Sequence, residues 1–147
     1  MRSEPIFDER IKATHAIWQG LVVLLWLVTI YIGGFVLRPD PIGHGTHQQM
    51  GLPACGSVVM FNRPCPACGL TTSWTSFLHG QIGFSFATNW FGPLLFLAFS
   101  TYALLSLVAV FRRQRFNDTH PFVTKMMSGL VTLLLIYGAI RFAVMTY

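Results

Sequence analysis

Residues 64–111 decide the fold: PCPACGLTTSWTSFLHGQIGFSFATNWFGPLLFLAFSTYALLSLVAVF. The stretch contains no Lys, Arg, Asp or Glu, and its second half, from about Phe91 to Phe111, is long enough to cross a hydrocarbon core about 30 Å thick. Asn89 can cap the start of this segment, and Pro93 falls in its first turn, where its missing N–H leaves no hydrogen bond unmade. We therefore predict a transmembrane helix at about 91–111.

Two further apolar segments lie on either side of this stretch. Residues 16–37 carry no charge and are followed by Arg38, which predicts a first transmembrane helix. The acidic residues ahead of it argue against a cleaved signal peptide. Residues 122–146 place fifteen uncharged residues between Lys125 and Arg141. The long side chains of these two residues can extend to the lipid headgroups, so we predict a third transmembrane helix there.

The composition agrees with a membrane protein. Charged residues make up 10% of the 147 residues, against about a quarter in soluble domains, and 53% are hydrophobic. The sequence therefore predicts an all-α integral membrane protein with three transmembrane helices in a single membrane domain, residues 1–147, in contact with the lipid bilayer. The net charge of +5 has no basic patch interleaved with aromatic residues, so we expect no nucleic-acid partner.

The positions of the basic residues indicate the orientation. Seven of the ten Lys and Arg lie before residue 16 or between residues 112 and 125. Because cytoplasmic segments carry the excess of Lys and Arg, we expect the N-terminus and the loop 112–121 in the cytoplasm of a bacterium. The C-terminus and the loop 38–90 are then periplasmic, and the chain is a multi-pass protein of the inner membrane. Candidate membrane-interface anchors are Trp18, Trp74 and Trp90.

The periplasmic loop contains a Cys-x-x-Cys knuckle, residues 64–69, and an apolar pattern of helical period after it. The pattern predicts a short amphipathic helix at about 69–79, which is too short to span the bilayer. We expect it in the membrane interface or as a re-entrant segment, with the loop packed against its neighbours, because irregular backbone at membrane depth needs protein cover. The residues that share its apolar face are Leu70, Trp74, Phe77 and Leu78.

Cys55, Cys65 and Cys68 are candidate disulfide or redox residues. A Cys-x-x-Cys pair at the start of a helix has a lowered thiol pKa, and on the oxidising side of a membrane two of the three could form a disulfide. The most favoured role is a structural disulfide or buried thiols. Redox catalysis of the thioredoxin kind is less favoured, because no strand, helix and strand unit surrounds the motif.

Metal binding is the alternative for the same cysteines. Three thiolates with one imidazole, from His44, His47 or His79, suit tetrahedral zinc, so zinc is a candidate cofactor. Between the cysteines, only the Cys-x-x-Cys half has the spacing of a metal knuckle. The candidate ligand set is Cys55, Cys65, Cys68 and His79.

The knuckle resembles a known family. The run RPCPACGLT at residues 63–71, with Cys55 ahead of it and Leu78, Gly80 and Asn89 after it, resembles the small bacterial integral membrane proteins of the domain of unknown function 2752 family. The resemblance covers about residues 55–111. It implies a small polytopic membrane protein marked by the three cysteines, and it brings no settled activity. The chain departs from the family pattern at Thr72, Gln81 and Trp90, where relatives usually have Arg, Asp and Pro.

The absence of paired carboxylates, a Ser-His-Asp set or a phosphate loop favours a protein without catalytic residues. We expect a small membrane subunit or accessory protein of a larger complex, bound to other membrane subunits. The alternative is a thiol-redox or zinc-binding protein at the periplasmic face, with Cys65 attacking and Cys68 resolving. A second alternative is a carrier for a hydrophobic cofactor, which would use His15, His79 or His120.

Overall fold

The computed structural model describes residues 7–8, 13–116 and 121–146, and within them the chain is almost entirely helical. A π-helical segment (Ile32–Val36) continues the first helix, and a 3-10 helix (Thr46–Met50) follows. Two-residue strands, β1 (Phe7–Asp8) and β2 (Arg115–Phe116), pair antiparallel, with Phe7 opposite Phe116. The α-helices are α1 (Ala13–Tyr31), α2 (Gly56–Phe61), α3 (Leu70–Leu78), α4 (Ile82–Thr88), α5 (Phe91–Phe111) and α6 (Pro121–Val144).

Three of these helices are long and apolar enough to cross a membrane. The candidate spans are Thr14–Val36, Phe91–Phe111 and Val123–Val144. Their exposed side chains are mostly Leu, Ile, Val and Phe, as contact with hydrocarbon requires. The predicted all-helical class with three membrane-spanning helices is therefore confirmed, and the chain is a multi-pass membrane protein.

Contacts divide the chain into two compact units. The first comprises residues 1–29 and 97–130. Within it, Trp26 Nε1 on α1 donates a hydrogen bond to Ser100 Oγ on α5 at 3.0 Å. Small residues at intervals of three along α5 are fully buried, and such residues let helices approach closely in a membrane: they are Ala103, Ser106 and Ala109.

The second unit comprises residues 30–96 and 131–147, and α3 lies at its centre. The apolar face of α3 is only half-buried, whereas its hydroxyl residues are almost completely buried. Ser73 lies so close to Gly92 that a Cβ on Gly92 would overlap it, and Gly33 lies in similar contact with Leu78. The helix therefore packs through small side chains. The buried hydroxyl residues are Thr72, Ser73, Thr75 and Ser76.

Hydroxyl groups join α3 to α4, a helix that the sequence analysis did not predict. Ser73 Oγ donates to the carbonyl of Ser85 at 2.9 Å, and Ser85 Oγ donates to the carbonyl of Ser73 at 2.7 Å. Each buried hydroxyl is thus satisfied by the other helix. The predicted cap of α5 is confirmed, since Asn89 Oδ1 accepts the N–H of Phe91 at 3.0 Å.

The close contact of α3 with the start of α5 predicts a specific sensitivity. In Gly92→Val the new side chain collides with Ser73, so the free energy of unfolding should fall by about 1–3 kcal/mol. Gly129→Val is the matched control, because a Cβ there meets no atom within 4 Å. Thermal unfolding of both variants in detergent, followed by circular dichroism, measures the difference. Equal unfolding temperatures would show that α3 and α5 do not pack as described.

Candidate functional site

The structure brings the three cysteines together. The Sγ atoms of Cys55, Cys65 and Cys68 all lie within 4.8 Å of one another, and those of Cys55 and Cys65 are 3.6 Å apart. No disulfide joins these three cysteines; Cys68 is buried and the other two are half-buried. We call this group the cysteine cluster. It could bind a metal ion.

Helix α2 places Cys55 next to the knuckle. Cys55 stands immediately before α2, and its carbonyl accepts the N–H of Val59 at 3.0 Å. Asn62 ends the six-residue helix in a left-handed conformation, with φ of 52°. Ser57 Oγ then donates to the carbonyl of Arg63 at 2.9 Å. This short helical turn folds the chain back, which brings residues ten positions apart into contact.

The knuckle itself is a tight turn. The N–H of Cys68 donates to the carbonyl of Cys65 at 2.9 Å, and Pro64 is fully buried. Gly69 follows with φ of +78°, and a Cβ on it would lie 2.8 Å from the carbonyl oxygen of Gly43. Only glycine fits this position, because it combines a left-handed backbone with a close backbone neighbour. The glycine is the residue from which α3 starts.

The carbonyl oxygen of Cys68 accepts hydrogen bonds from two side chains. Asn89 Nδ2 donates to it at 3.1 Å, and the Arg141 guanidinium donates to it at 3.0 Å. Arg141 is only 7% exposed, and its guanidinium lies 5.6 Å from the ring centre of Tyr137. The expectation that Arg141 extends to the lipid headgroups is therefore wrong. Its charge instead lies beside the backbone of Cys68.

The two half-buried thiols differ in acidity. Burial acts to raise the pKa of Cys55, but the N–H of Val58, the Cys65 thiol and the N–H of Ser57 stabilise its thiolate, so its pKa lies below the ordinary value. Burial raises the pKa of Cys65, and the neighbouring Cys55 raises it further. Cys55 is therefore the first of this pair to lose its proton, whereas the sequence analysis named Cys65 as the attacking thiol.

The cluster opens into a pocket of about 230 Å³. It lies at the N-terminal end of α3, between the knuckle and the 3-10 helix. Its wall carries sulfur, imidazole and hydroxyl groups and no charged side chain. The lining residues are His47, Cys55, Cys65, Ala67, Cys68, Gly69, Thr71 and Thr72.

The predicted fourth ligand, His79, lies elsewhere. Its Nε2 is 3.2 Å from the carbonyl oxygen of Leu37, at the C-terminal end of α3. Among the described residues, the group of adjacent ligand atoms contains the three cysteines and no histidine. His15 lies in α1, and His120 falls outside the described residues.

Of the candidate interface tryptophans, Trp18 and Trp90 are 63% and 64% exposed. Trp74 is half-buried: its Nε1 donates to the carbonyl of Gly92 at 2.7 Å, and its ring packs on Phe96 with centroids 5.7 Å apart. Trp74 therefore contributes to the contact of α3 with α5. The interfacial role of Trp18 and Trp90 stays a prediction.

The comparison with known families finds one match, which covers the region of the cysteine cluster. Residues 55–103 match the model of a family described as protein of unknown function (DUF2752). Over this segment the chain is similar to the DUF2752 family. The resemblance drawn from the cysteine motif is thus confirmed, for 49 of the 147 residues. No curated protein and no solved structure matches the chain.

The DUF2752 segment contains the whole cysteine cluster and Asn89, but His47 and Arg141 lie outside it. Thr72 stands where the sequence analysis expects Arg in relatives, and its buried hydroxyl lies 2.8 Å from that of Thr46. Sequence reasoning named His47 only as one of three alternative imidazoles for the cysteines, and it missed Arg141 as a support for Cys68. Spacing could not assign either role, because each residue reaches the DUF2752 motif only through the tertiary fold.

The pKa difference predicts which thiol reacts first. In metal-free protein, iodoacetamide should modify Cys55 before Cys65, and the midpoint of its pH–rate profile should lie below that of Cys65. In Cys65→Ala the Cys55 midpoint should move to higher pH, since the neighbouring thiol no longer stabilises the thiolate. Mass spectrometry of labelled peptides over a range of pH measures both effects. Earlier labelling of Cys65 would contradict this assignment.

Proposed function

We propose that the protein is a non-catalytic membrane protein whose periplasmic loop is held by one zinc ion bound to Cys55, Cys65 and Cys68. The observation that carries the proposal is the distance between the sulfurs, all within 4.8 Å and two of them 3.6 Å apart. In a tetrahedral site with Zn–S bonds of about 2.3 Å, two sulfurs are about 3.8 Å apart. Small side-chain adjustments bring the cluster to that spacing.

The chemistry of the donors favours zinc over other metals. Thiolates are soft ligands, and three of them with one nitrogen ligand form a common structural zinc set. An iron–sulfur cluster is usually held by four cysteines, and the chain has three. Three thiolates with Zn²⁺ carry a net charge of −1, and the buried guanidinium of Arg141 lies against the backbone of Cys68. The cation lowers the cost of placing this negative charge at the end of a membrane helix.

The position of the cluster favours a structural role. Cys55 precedes α2, and the knuckle precedes α3, so one ion would join both segments. The carbonyl of Cys68 also accepts hydrogen bonds from Asn89 at the start of α5 and from Arg141 near the end of α6, so the cluster is connected to both helices. An ion here would stabilise the periplasmic loop as a whole, because structural zinc sites contribute directly to folding free energy.

A disulfide between Cys55 and Cys65 is the second candidate, favoured by their 3.6 Å separation and the lowered pKa of Cys55. In that case an external disulfide would oxidise the two thiols, which lose two protons and two electrons and form one S–S bond. Cys68 would remain a buried thiol. This protein would hold its loop covalently and would bind no metal at the cluster.

Elemental analysis of the full-length protein, purified from its native membrane in mild detergent, separates the two candidates. We expect about one zinc per chain, and loss of that zinc in Cys55→Ser. Thr71→Ser is the matched control, because Thr71 lines the same pocket without a thiol and its replacement should retain the zinc. Absence of metal together with a mass two hydrogens lower would contradict zinc binding and support the disulfide.

We further propose that the protein is an accessory subunit of a larger complex in the bacterial inner membrane. The three spans bury only 11%, 22% and 11% of their most apolar windows within the chain, which leaves most of their surface to lipid or to other helices. Without a hydrophobic driving force in lipid, such helices associate with partners through packing and small residues. The excess of Lys and Arg before residue 16 and in 112–125 supports a cytoplasmic N-terminus.

Cross-linking in the native membrane, followed by purification and mass spectrometry, tests the accessory role. We expect one defined set of membrane proteins to co-purify with the chain in fixed ratio, both before and after cross-linking. An unrelated three-span membrane protein carrying the same tag is the control for non-specific capture. Recovery of a stable monomer with no co-purifying protein would contradict this role.

A further inference from the structure

We infer that His47 is the fourth ligand of the zinc site, through its Nδ1 atom. This inference rests on the zinc-binding function proposed above. It replaces His79, which the sequence pattern favoured, by a histidine of the 3-10 helix.

The 3-10 helix is fixed beside the cysteine cluster by its first residue. Thr46 is fully buried, its Oγ1 lies 2.8 Å from Thr72 Oγ1, and the same oxygen accepts the N–H of Asp40 at 3.0 Å. Thr72 belongs to the first turn of α3, four residues after Cys68. The hydroxyl pair therefore places His47, the next residue in the chain, on the wall of the pocket that the three cysteines line.

The hydrogen bond of His47 leaves the right nitrogen for a metal. Nε2 lies 3.1 Å from the carbonyl oxygen of Pro53. A carbonyl only accepts, so Nε2 carries the proton, and in the neutral ring Nδ1 then has the lone pair. Histidines that bind metals usually donate their other ring N–H to a carbonyl or carboxylate in this way. Pro53 lies two residues before Cys55, so this bond also ties the ring to a segment that carries a ligand.

The other histidines near the loop are less suitable. His79 lies at the C-terminal end of α3, and the nine residues of that helix separate it from the knuckle by about 14 Å. Its Nε2 already lies 3.2 Å from the carbonyl oxygen of Leu37. His44 is not one of the residues that line the pocket. Within the described part of the chain, His47 is the imidazole that shares this pocket with the three sulfurs.

The pocket has room for a metal ion beside the His47 ring. A volume of about 230 Å³ is several times the roughly 30 Å³ that one water molecule occupies, so the pocket exceeds what a single ion needs. Coordination would draw the His47 ring toward the sulfurs, while Thr46 keeps the 3-10 helix beside the cluster.

Cobalt(II) is the probe for the test, because its visible spectrum reports the number of thiolate ligands and the tetrahedral geometry. The full-length protein in detergent is titrated with Co²⁺ alone, beside His47→Ala, His47→Cys and the matched control His79→Ala. We expect wild type and His79→Ala to give the same tetrahedral spectrum. His47→Ala should bind at least ~10-fold more weakly. His47→Cys should retain binding, with thiolate-to-cobalt absorption increased by about one third because four thiolates replace three.

The outcomes separate this inference from the function on which it rests. Tight tetrahedral binding by wild type that is unchanged in both His47 variants would overturn the inference and leave zinc binding by the cysteines intact. Loss of binding in His79→Ala alone would return the fourth ligand to His79. No tetrahedral cobalt site in wild type would overturn both. The gain of thiolate absorption in His47→Cys supports the inference even if His47→Ala fails to fold.

Discussion

In the second unit of this protein, one hydrogen-bond acceptor joins the knuckle to two long helices. This acceptor is the carbonyl oxygen of Cys68. It receives one hydrogen bond from Asn89 Nδ2 and one from the guanidinium of Arg141. The first donor belongs to the residue that caps α5, and the second to the last turn of α6. Both donors are buried, and the Cys68 oxygen gives each of them a hydrogen-bond acceptor within the protein. The knuckle therefore lies where α5 begins and α6 ends.

Helix α3 departs from the usual rule of burial. In water, an amphipathic helix buries its apolar stripe and exposes its hydroxyl groups. Here Ser73 and Thr72 are buried, and the apolar side chains on the other face are only half-buried. Small hydroxyl residues allow close contact with Gly92 and with α4, and each hydroxyl finds a hydrogen-bond partner in the protein.

Much of the fold could be predicted from the sequence, because uncharged runs longer than 20 residues leave few alternatives to membrane helices. The apolar period also located α3, and the spacing of the cysteines identified the knuckle. The short helix α4 was missed because seven residues with mixed Gly, Ser and Phe show no clear period. The structure corrected the role of Arg141, since nothing local distinguishes a cation that extends to headgroups from one that turns inward to a carbonyl.

The cysteine cluster, too, could be predicted from the sequence only in part. The sequence could name Cys55, Cys65 and Cys68 because Cys-x-x-Cys knuckles recur in metal sites and disulfides. It could not select between His47 and His79. That choice depends on the Thr46–Thr72 hydroxyl pair, which joins residues 26 positions apart. It depends also on the carbonyl that each ring meets.

X-ray absorption at the zinc edge, on protein purified from its native membrane, tests most directly the claim that the three cysteines hold a metal ion. We predict three sulfur neighbours at about 2.3 Å and one nitrogen neighbour at about 2.0–2.1 Å. A sample without zinc, or zinc surrounded only by nitrogen and oxygen, would contradict the claim.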